Sequence, residues 1–314
     1  MVNYRSRGLS TGERGATTII MSSTEQDEAC ASCGKAEVDN IKLRKCTACN
    51  LVKYCSVDCQ KNHRPQHKRA CKKRMAEIRD DRLFRHPEES DRGECPICCL
   101  PLPIDERKSR LSSCCCKWIC IGCSYANKKR EMEQGLEHKC PYCREPVPTT
   151  DEEVEKNYMK RVKADDPAAL NQLGRKCYNE GDYEGANKYF TKATKFGDVD
   201  AHHQISCLYD RGHGVEKDPK KELYHLEEAA IGGHPSARFN LANLEGRNGR
   251  HDRGFKHLFI AAKQGHDKAL EAVKKGFTEG LLSKEYFESA LRGHQAAVEA
   301  TKSTQRDTAE EFFT

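Results

Sequence analysis

The sequence predicts small zinc-stapled α+β modules followed by an all-α helical repeat solenoid. Three observations carry that expectation. Seventeen of the 19 cysteines lie between Cys30 and Cys143. Many of them stand in C-x2-C pairs, the spacing at which two thiolates reach one tetrahedral metal ion. From residue 167 onward the chain repeats itself: Ala169, Ala201, Ala237 and Ala269 recur, with Leu173, Ile205, Leu241 and Val273 four residues behind them. A period in the thirties suits a helix–turn–helix unit that buries its apolar face only against its neighbours.

Composition supports several modules rather than one large core. A chain of 314 residues predicts two or three domains. Hydrophobic residues make up 37% and mean hydropathy is −0.85, low for a single core and natural for metal-stapled modules with exposed helices. Disulfides are the rival use of so many thiols. The one apolar run near the start, Ile19-Ile20-Met21, is too short for a secretory signal, so zinc is favoured. No segment approaches a membrane span. The expectation is a soluble intracellular protein, cytoplasmic or nuclear, with no membrane partner. Charge is uneven: residues 30–74 hold 12 Lys/Arg against three Asp/Glu, while the whole chain is only +6.

Residues 1–29, rich in Ser, Thr, Gly and Arg, read as a disordered leader. A first module follows at 30–74, with the pairs Cys30/Cys33, Cys46/Cys49, Cys55/Cys59 and His67/Cys71. Ser56 is a suitable N-cap and Asp58 suits the first turn, so Cys59 is placed on a short helix. Pro65 suits the first turn of a second helix, with His67 and Cys71 on one face of it at i,i+4. The block resembles a MYND zinc finger. That resemblance implies crossed pairing: Cys30, Cys33, Cys55 and Cys59 on one zinc, Cys46, Cys49, His67 and Cys71 on the other, with His63 outside both. It also implies docking of short proline-containing peptides from protein partners, although Arg64 stands where the family usually has Trp.

The exposed charges of this module (Lys61, Arg64, Lys68, Arg69, Lys72, Lys73, Arg74) raise a nucleic-acid reading. Stacking aromatics are nearly absent around them, only Tyr54 being close in sequence. A solvated basic helix is the better expectation, and nucleic acid is not an expected partner.

Residues 75–93, ending HPEESDRG, read as a charged linker. The second cysteine cluster spans 94–147: CPIC from Cys95, the knot SSCCCKWICIGC, and CPYCREP from Cys140. The frame resembles a RING finger. It implies Cys95, Cys98, Cys120 and Cys123 on a first zinc, and Cys140 and Cys143 on a second that two ligands from the knot complete. Here the pattern departs from the family. The third ligand position falls on Cys115 and the fourth on Lys117, and a protonated lysine has no lone pair to give. Cys114 or Cys116 must substitute; Cys114 with Cys115 is favoured. Together the two modules would hold about four Zn2+ per chain.

A RING domain of a ubiquitin ligase works by docking a charged ubiquitin-conjugating enzyme, so no nucleophile of its own is expected. By that resemblance Ile97 and Pro141 fit the apolar docking groove, and Arg144 sits where a family arginine contacts the transferred ubiquitin. The aromatic usual before Cys140 is missing; Trp118, inside the knot, reads as core.

Residues 148–166 predict a linker helix, with Val154, Tyr158 and Val162 as a narrow apolar stripe. The repeats occupy 167–300. Each second helix is expected to close on a glycine: Gly197, Gly233, Gly265 and Gly293. The stretch AHHQISCLYDRGHGVEKDPKKELYHLEEAAIGGH resembles a Sel-like repeat, which implies a groove binding peptide segments of protein partners. The histidines after the turn glycines read as turn-capping residues spaced along the stack, not as metal ligands. Residues 301–314 read as a polar tail. The chain as a whole reads as a zinc-binding interaction adaptor, with a RING-type ubiquitin ligase as its sharper form. A non-catalytic scaffold is the competing class, and a nucleic-acid-binding regulator using residues 61–74 a third.

Overall fold

Segments punctuated by cysteine every few residues cannot build long ladders, and the strands are correspondingly short. The computed structural model describes residues 29–38, 41–87 and 91–313. The leader expected at 1–29 thus lies, up to residue 28, outside the described residues. The chain divides into two units, Met1–Asp80 and Asp81–Thr314.

In the first unit β1 (Arg44–Lys45) and β2 (Lys53–Tyr54) pair antiparallel. Isolated bridges join Ala29 to Ala36 and Cys30 to Lys53. Cys30, Cys46, Cys49 and Tyr54 form the small buried centre. Helix α1 runs from Val57 to Leu83, and Ser56 caps it by accepting a hydrogen bond from the Cys59 amide at 3.1 Å. Two helices were expected here, the second opening at Pro65; the structure has one, with Pro65 inside it. A proline within a helix forgoes a backbone hydrogen bond and costs roughly 3 kcal/mol. Cys59 on one side of it and His67 with Cys71 on the other each belong to a ligand group, so the helix is tied at both sides of the proline.

The expected linker at 75–93 is also corrected, because α1 continues through its first half and its last three residues belong to the second unit. Leu83 is 1% exposed, packed with Leu226, Ala229, Ala230, Ala237 and Leu241. The buried guanidinium of Arg238 donates to the carbonyls of Leu83 (2.6 Å) and Arg85 (3.1 Å), satisfying acceptors that a helix end leaves open. Burial without a carboxylate partner pushes Arg238 down to about 10. Phe84 stacks against His257 at 4.7 Å, with the Arg253 guanidinium 4.8 Å from its ring.

The second unit begins with the other cysteine cluster. A 3-10 turn (Glu106–Lys108) leads into β3 (Ser109–Ser112), which pairs antiparallel with β4 (Lys117–Cys120) and is followed by α2 (Ile121–Glu133). Helix α3 (Asp151–Val162) is capped by Thr150. It donates back to the cysteine knot from Asn157 to Ser113 Oγ (3.4 Å) and from Arg161 to the Cys115 carbonyl (3.3 Å).

Four helix pairs follow: α4 (Pro167–Asn179) with α5 (Tyr183–Lys195), α6 (Val199–Arg211) with α7 (Pro219–Ile231), α8 (Pro235–Arg247) with α9 (His251–Lys263), and α10 (Asp267–Thr278) with α11 (Lys284–Ala300). The recurring alanines 169, 201, 237 and 269 are all 0% exposed, since a methyl group is what lets adjacent helices approach. Gly197, Gly233 and Gly265 close α5, α7 and α9 at φ of +84°, +93° and +95°. Gly293 does not follow that expectation, because it lies inside α11. A Cβ there would come within 2.5 Å of Lys263 Cγ, so its glycine serves close packing instead of termination.

The expected tail is corrected as well. Thr304–Phe313 forms α12, which packs against α2. Phe312 meets the Tyr125 ring at 4.8 Å, and Lys108 pairs with Glu310 at 2.7 Å. A Leu83→Ala substitution is expected to lower the unfolding free energy of the repeats by about 2–5 kcal/mol, the usual cost of emptying a core site. Urea denaturation measures it; a change below a few tenths would mean that residue 83 behaves as linker.

Candidate metal centres

In the first unit the sulfurs of Cys30, Cys33, Cys55 and Cys59 gather in one group, and those of Cys46, Cys49 and Cys71 with His67 in another; ligand atoms within each group lie within 4.8 Å of one another. The Cys33–Cys55 and Cys55–Cys59 sulfurs are each 3.6 Å apart, and Cys46–Cys71 4.0 Å. Disulfide sulfurs stand near 2 Å. Four sulfurs around a tetrahedral zinc at the usual bond length stand about 3.8 Å apart. These gaps therefore fit a shared metal ion and not a bond. His63 lies outside both groups, its Nδ1 3.1 Å from the Tyr54 hydroxyl and its ring stacked on His67.

The second unit holds two more groups: Cys95, Cys98, Cys120 and Cys123, then Cys114, Cys115, Cys140 and Cys143. Cys98 and Cys120 sulfurs are 3.8 Å apart, Cys115 and Cys140 4.0 Å, and Cys114 and Cys143 3.3 Å. The knot thus contributes Cys114 and Cys115. Cys116 stays outside, buried, with its thiol pushed up to about 12 by that burial. Cys99 is exposed and Lys117 points to solvent.

One backbone device recurs through both units. The residue after the second cysteine of a knuckle is left-handed: Gly34 (φ +73°), Asn50 (+57°), Cys99 (+56°) and Arg144 (+65°). Each amide donates to the carbonyl of the knuckle's first cysteine, at 2.8 to 2.9 Å. The knot repeats the device with Cys116 (φ +52°), whose amide donates to Ser112. Ser112 therefore occupies a first-cysteine position, and its hydroxyl contributes to holding the Cys140 thiol low. The spacing Ser112-x2-Cys115 was the signal for it.

The four groups also suit a cation electrostatically. Burial opposes ionisation of Cys30, yet the amides of Cys55, Cys33 and Ser32 pull it down to about 6; hydrogen bonds from Cys33 and Cys59 push its neighbour Cys55 up to about 12. Adjacent thiols cannot all ionise alone, and a dication among them removes the conflict. An all-sulfur or Cys3His donor set in a closed tetrahedral group is that of structural Zn2+, and the four groups have room for about four ions.

A fifth polar group, Asp200, His203 and His234, is equally tight. Of the histidines that follow the turn glycines, His234 and His266 are the helix caps expected; His203, which lies within α6 and is not one of them, stacks its ring on that of His234 at 4.5 Å. His234 Nδ1 accepts from the Ala237 amide as a helix cap (3.2 Å), and Nε2 lies 3.1 Å from Asp200. Burial opposes charging His234 and Asp200 and Asp91 favour it, with the net direction upward, but the cap needs an unprotonated Nδ1. The neutral tautomer with hydrogen on Nε2 satisfies both bonds and leaves no lone pair for a metal. Arg175, 3.8 Å from Asp200, adds positive charge. This group is a buried brace between repeats.

The three residues expected to meet a partner lie on the second module. Ile97 is 41% exposed and Pro141 half-buried. Arg144 is exposed; its Nη1 donates to Asn127 Oδ1 at 3.0 Å and its Nη2 lies 3.9 Å from the buried carboxylate of Glu131, both on α2. Trp118 is half-buried, with the Arg92 guanidinium 4.9 Å from its ring. The basic side chains along α1 are mostly exposed.

Residues 30–71 match the MYND finger family. Over 56 residues the chain is 45% identical to HcpC of Helicobacter pylori strain J99, which carries the provisional name of a beta-lactamase; the match covers 18% of this chain and 19% of that protein. Over 40 residues it is 45% identical to the Homo sapiens histone-lysine N-methyltransferase SMYD3, covering 13% and 9%. The chain thus spans less than a fifth of either curated relative. Among solved structures it is similar to a Sel1 repeat protein from Oxalobacter formigenes, at TM-score 0.42 and 22% identity, covering 57% of this chain and 72% of that one. It is also similar to c5321, a protective antigen of uropathogenic Escherichia coli strains displaying an SLR fold, at TM-score 0.38 and 18% identity, covering 60% and 40%.

Metal analysis of the purified chain is expected to return about four zinc per molecule. Cys114→Ser should lower that to about three, whereas Cys116→Ser should leave it unchanged. The reverse pattern would place Cys116 in the site.

Proposed function

We propose that the chain is a zinc-dependent protein–protein interaction adaptor whose second module docks a ubiquitin-conjugating enzyme, making it a RING-type ligase. The sixteen residues of the four groups are its zinc ligands. Zinc supplies rigid cross-links between segments too short to fold on their own, and the protein surface performs the recognition.

Arg144 carries this reading. Its backbone is left-handed, a conformation that is easy for the glycine filling the same place in the first knuckle and unfavourable for arginine. The side chain is exposed and aimed by Asn127 and Glu131, which presents its guanidinium to a partner. It is suited to donate hydrogen bonds to the carbonyls of a transferred ubiquitin, while the exposed apolar Ile97 and half-buried Pro141 offer surface to the conjugating enzyme. Helix α12 leaves that surface open: it covers α2 near Gly122 and Tyr125, whereas Asn127 and Glu131 project from a different face of the helix. No nucleophile from this chain takes part, because the acyl group passes from the thioester of the conjugating enzyme to a lysine of the substrate.

Substrates would be gathered by the MYND module and the repeats. A cleft of about 800 Å³, lined among others by Pro101, Leu102, Ile104, His266 and Val298, gives the repeats a recess for a partner segment.

The test is an autoubiquitination assay on the full chain. Ile97→Ala and Arg144→Ala are each expected to reduce activity at least tenfold while zinc content holds. Arg144→Gly, which relieves the backbone, should be as inactive and no less stable. Wild-type protein without activity, or activity indifferent to both alanines, would leave a non-catalytic scaffold.

A further inference from the structure

Helix α12 brings one residue into the outer shell of a metal group 200 residues away in sequence. Arg306 is 3% exposed. Its Nη1 donates to the carbonyls of Pro101 (2.8 Å) and Thr301 (2.7 Å). Its Nη2 donates to the Leu100 carbonyl (3.2 Å) and to the sulfur of Cys98 (3.4 Å), a member of the Cys95/Cys98/Cys120/Cys123 group. The fit depends on backbone contact as well. Gly122, between Cys120 and Cys123, lies so close to Arg306 that a Cβ would meet its Cα and amide at 3.0 Å. Gln305 also donates to the Gly122 carbonyl at 3.3 Å.

The charges do not balance without a metal. The hydrogen-bond partners of the buried guanidinium are three neutral carbonyls and one sulfur, and burying an uncompensated charge costs several kcal/mol. Four cysteines bound to Zn2+ are thiolates; their four negative charges against the two of the ion leave the group doubly negative. A neighbouring buried cation then has its counter-charge, and the thiolates gain a charge-assisted hydrogen bond. Outer-shell partners of this kind typically change metal affinity by about 10–100-fold.

We propose that Arg306 is the positioning residue and counter-charge of the Cys95/Cys98/Cys120/Cys123 zinc, so that loading of this ion and docking of α12 are one coupled event. Zinc strengthens the seat of α12, and α12 slows the escape of zinc. The inference rests on the zinc assignment and is independent of the ligase reading.

The experiment follows zinc transfer from the full-length, loaded chain to the chromogenic chelator 4-(2-pyridylazo)resorcinol. In Arg306→Met, one zinc of about four should leave at least tenfold faster, with the others unchanged. Arg306→Lys, which keeps the charge, should recover much of the difference; a purely steric role would not be rescued this way. A second arm needs no variant. Limited digestion of wild-type protein with a glutamate-specific protease should cut at Glu310 and Glu311 several-fold faster once zinc is stripped. Unchanged release from Arg306→Met, or cleavage indifferent to zinc, would overturn the coupling. A wild-type chain whose second module holds no zinc would instead overturn the metal assignment beneath it.

Discussion

Interleaving of the ligand groups is the constraint on which the architecture depends. In both units the first and third pairs of ligands meet at one centre and the second and fourth at the other. Each centre therefore closes a loop that contains ligands of its partner, so each restricts the segment that carries the other's ligands. Strands of two to four residues and a handful of buried side chains could not hold these segments alone. The metal groups take the part that apolar burial plays in a larger domain. The repeats show the opposite economy, with four apolar helix pairs and no cysteine group of their own.

Within that frame the left-handed knuckle residues do two jobs. They turn the chain so that both cysteines of a pair face one point, and their amides satisfy the first cysteine's carbonyl. Only at Arg144 does the position carry a long charged side chain, and α2 is built to receive it, through Asn127 and the buried Glu131. The fold thereby sets the direction of a guanidinium from a position that backbone energetics would give to glycine.

Local chemistry explains what could be read in advance. Ligand spacing and Ser56 as a cap are encoded within ten or so neighbouring residues, and the alanines recur at a regular 32 to 36 residues, so all were visible. The pairing of Cys114 with Cys115 could be favoured, because Lys117 removed itself as a donor. Leu83 was not legible: one leucine and one phenylalanine in a charged run make no period, and their partners lie about 140 to 170 residues onward. Pro65 pointed to a helix start, whereas the helix opens eight residues earlier, at Val57, and runs through the proline. The packing of α12 escaped notice for the same reason as Leu83, since a stretch such as TQRDTAEEFF shows polarity and hides the single arginine that a distant sulfur requires. The stacking of His203 on His234 belongs to the rotation between repeats, which the period alone does not specify.

The separation between Cys98 and Arg306, 208 residues, also bears on how the chain matures. Loop closure over such a distance is entropically slow relative to local pairing. During synthesis the second cysteine module leaves the ribosome long before residue 306 exists. Its thiols and its Gly122 face then wait, uncovered, while the whole repeat array is made. Newly made chain in that interval exposes a cysteine group that Arg306 and Gln305 cover in the finished fold.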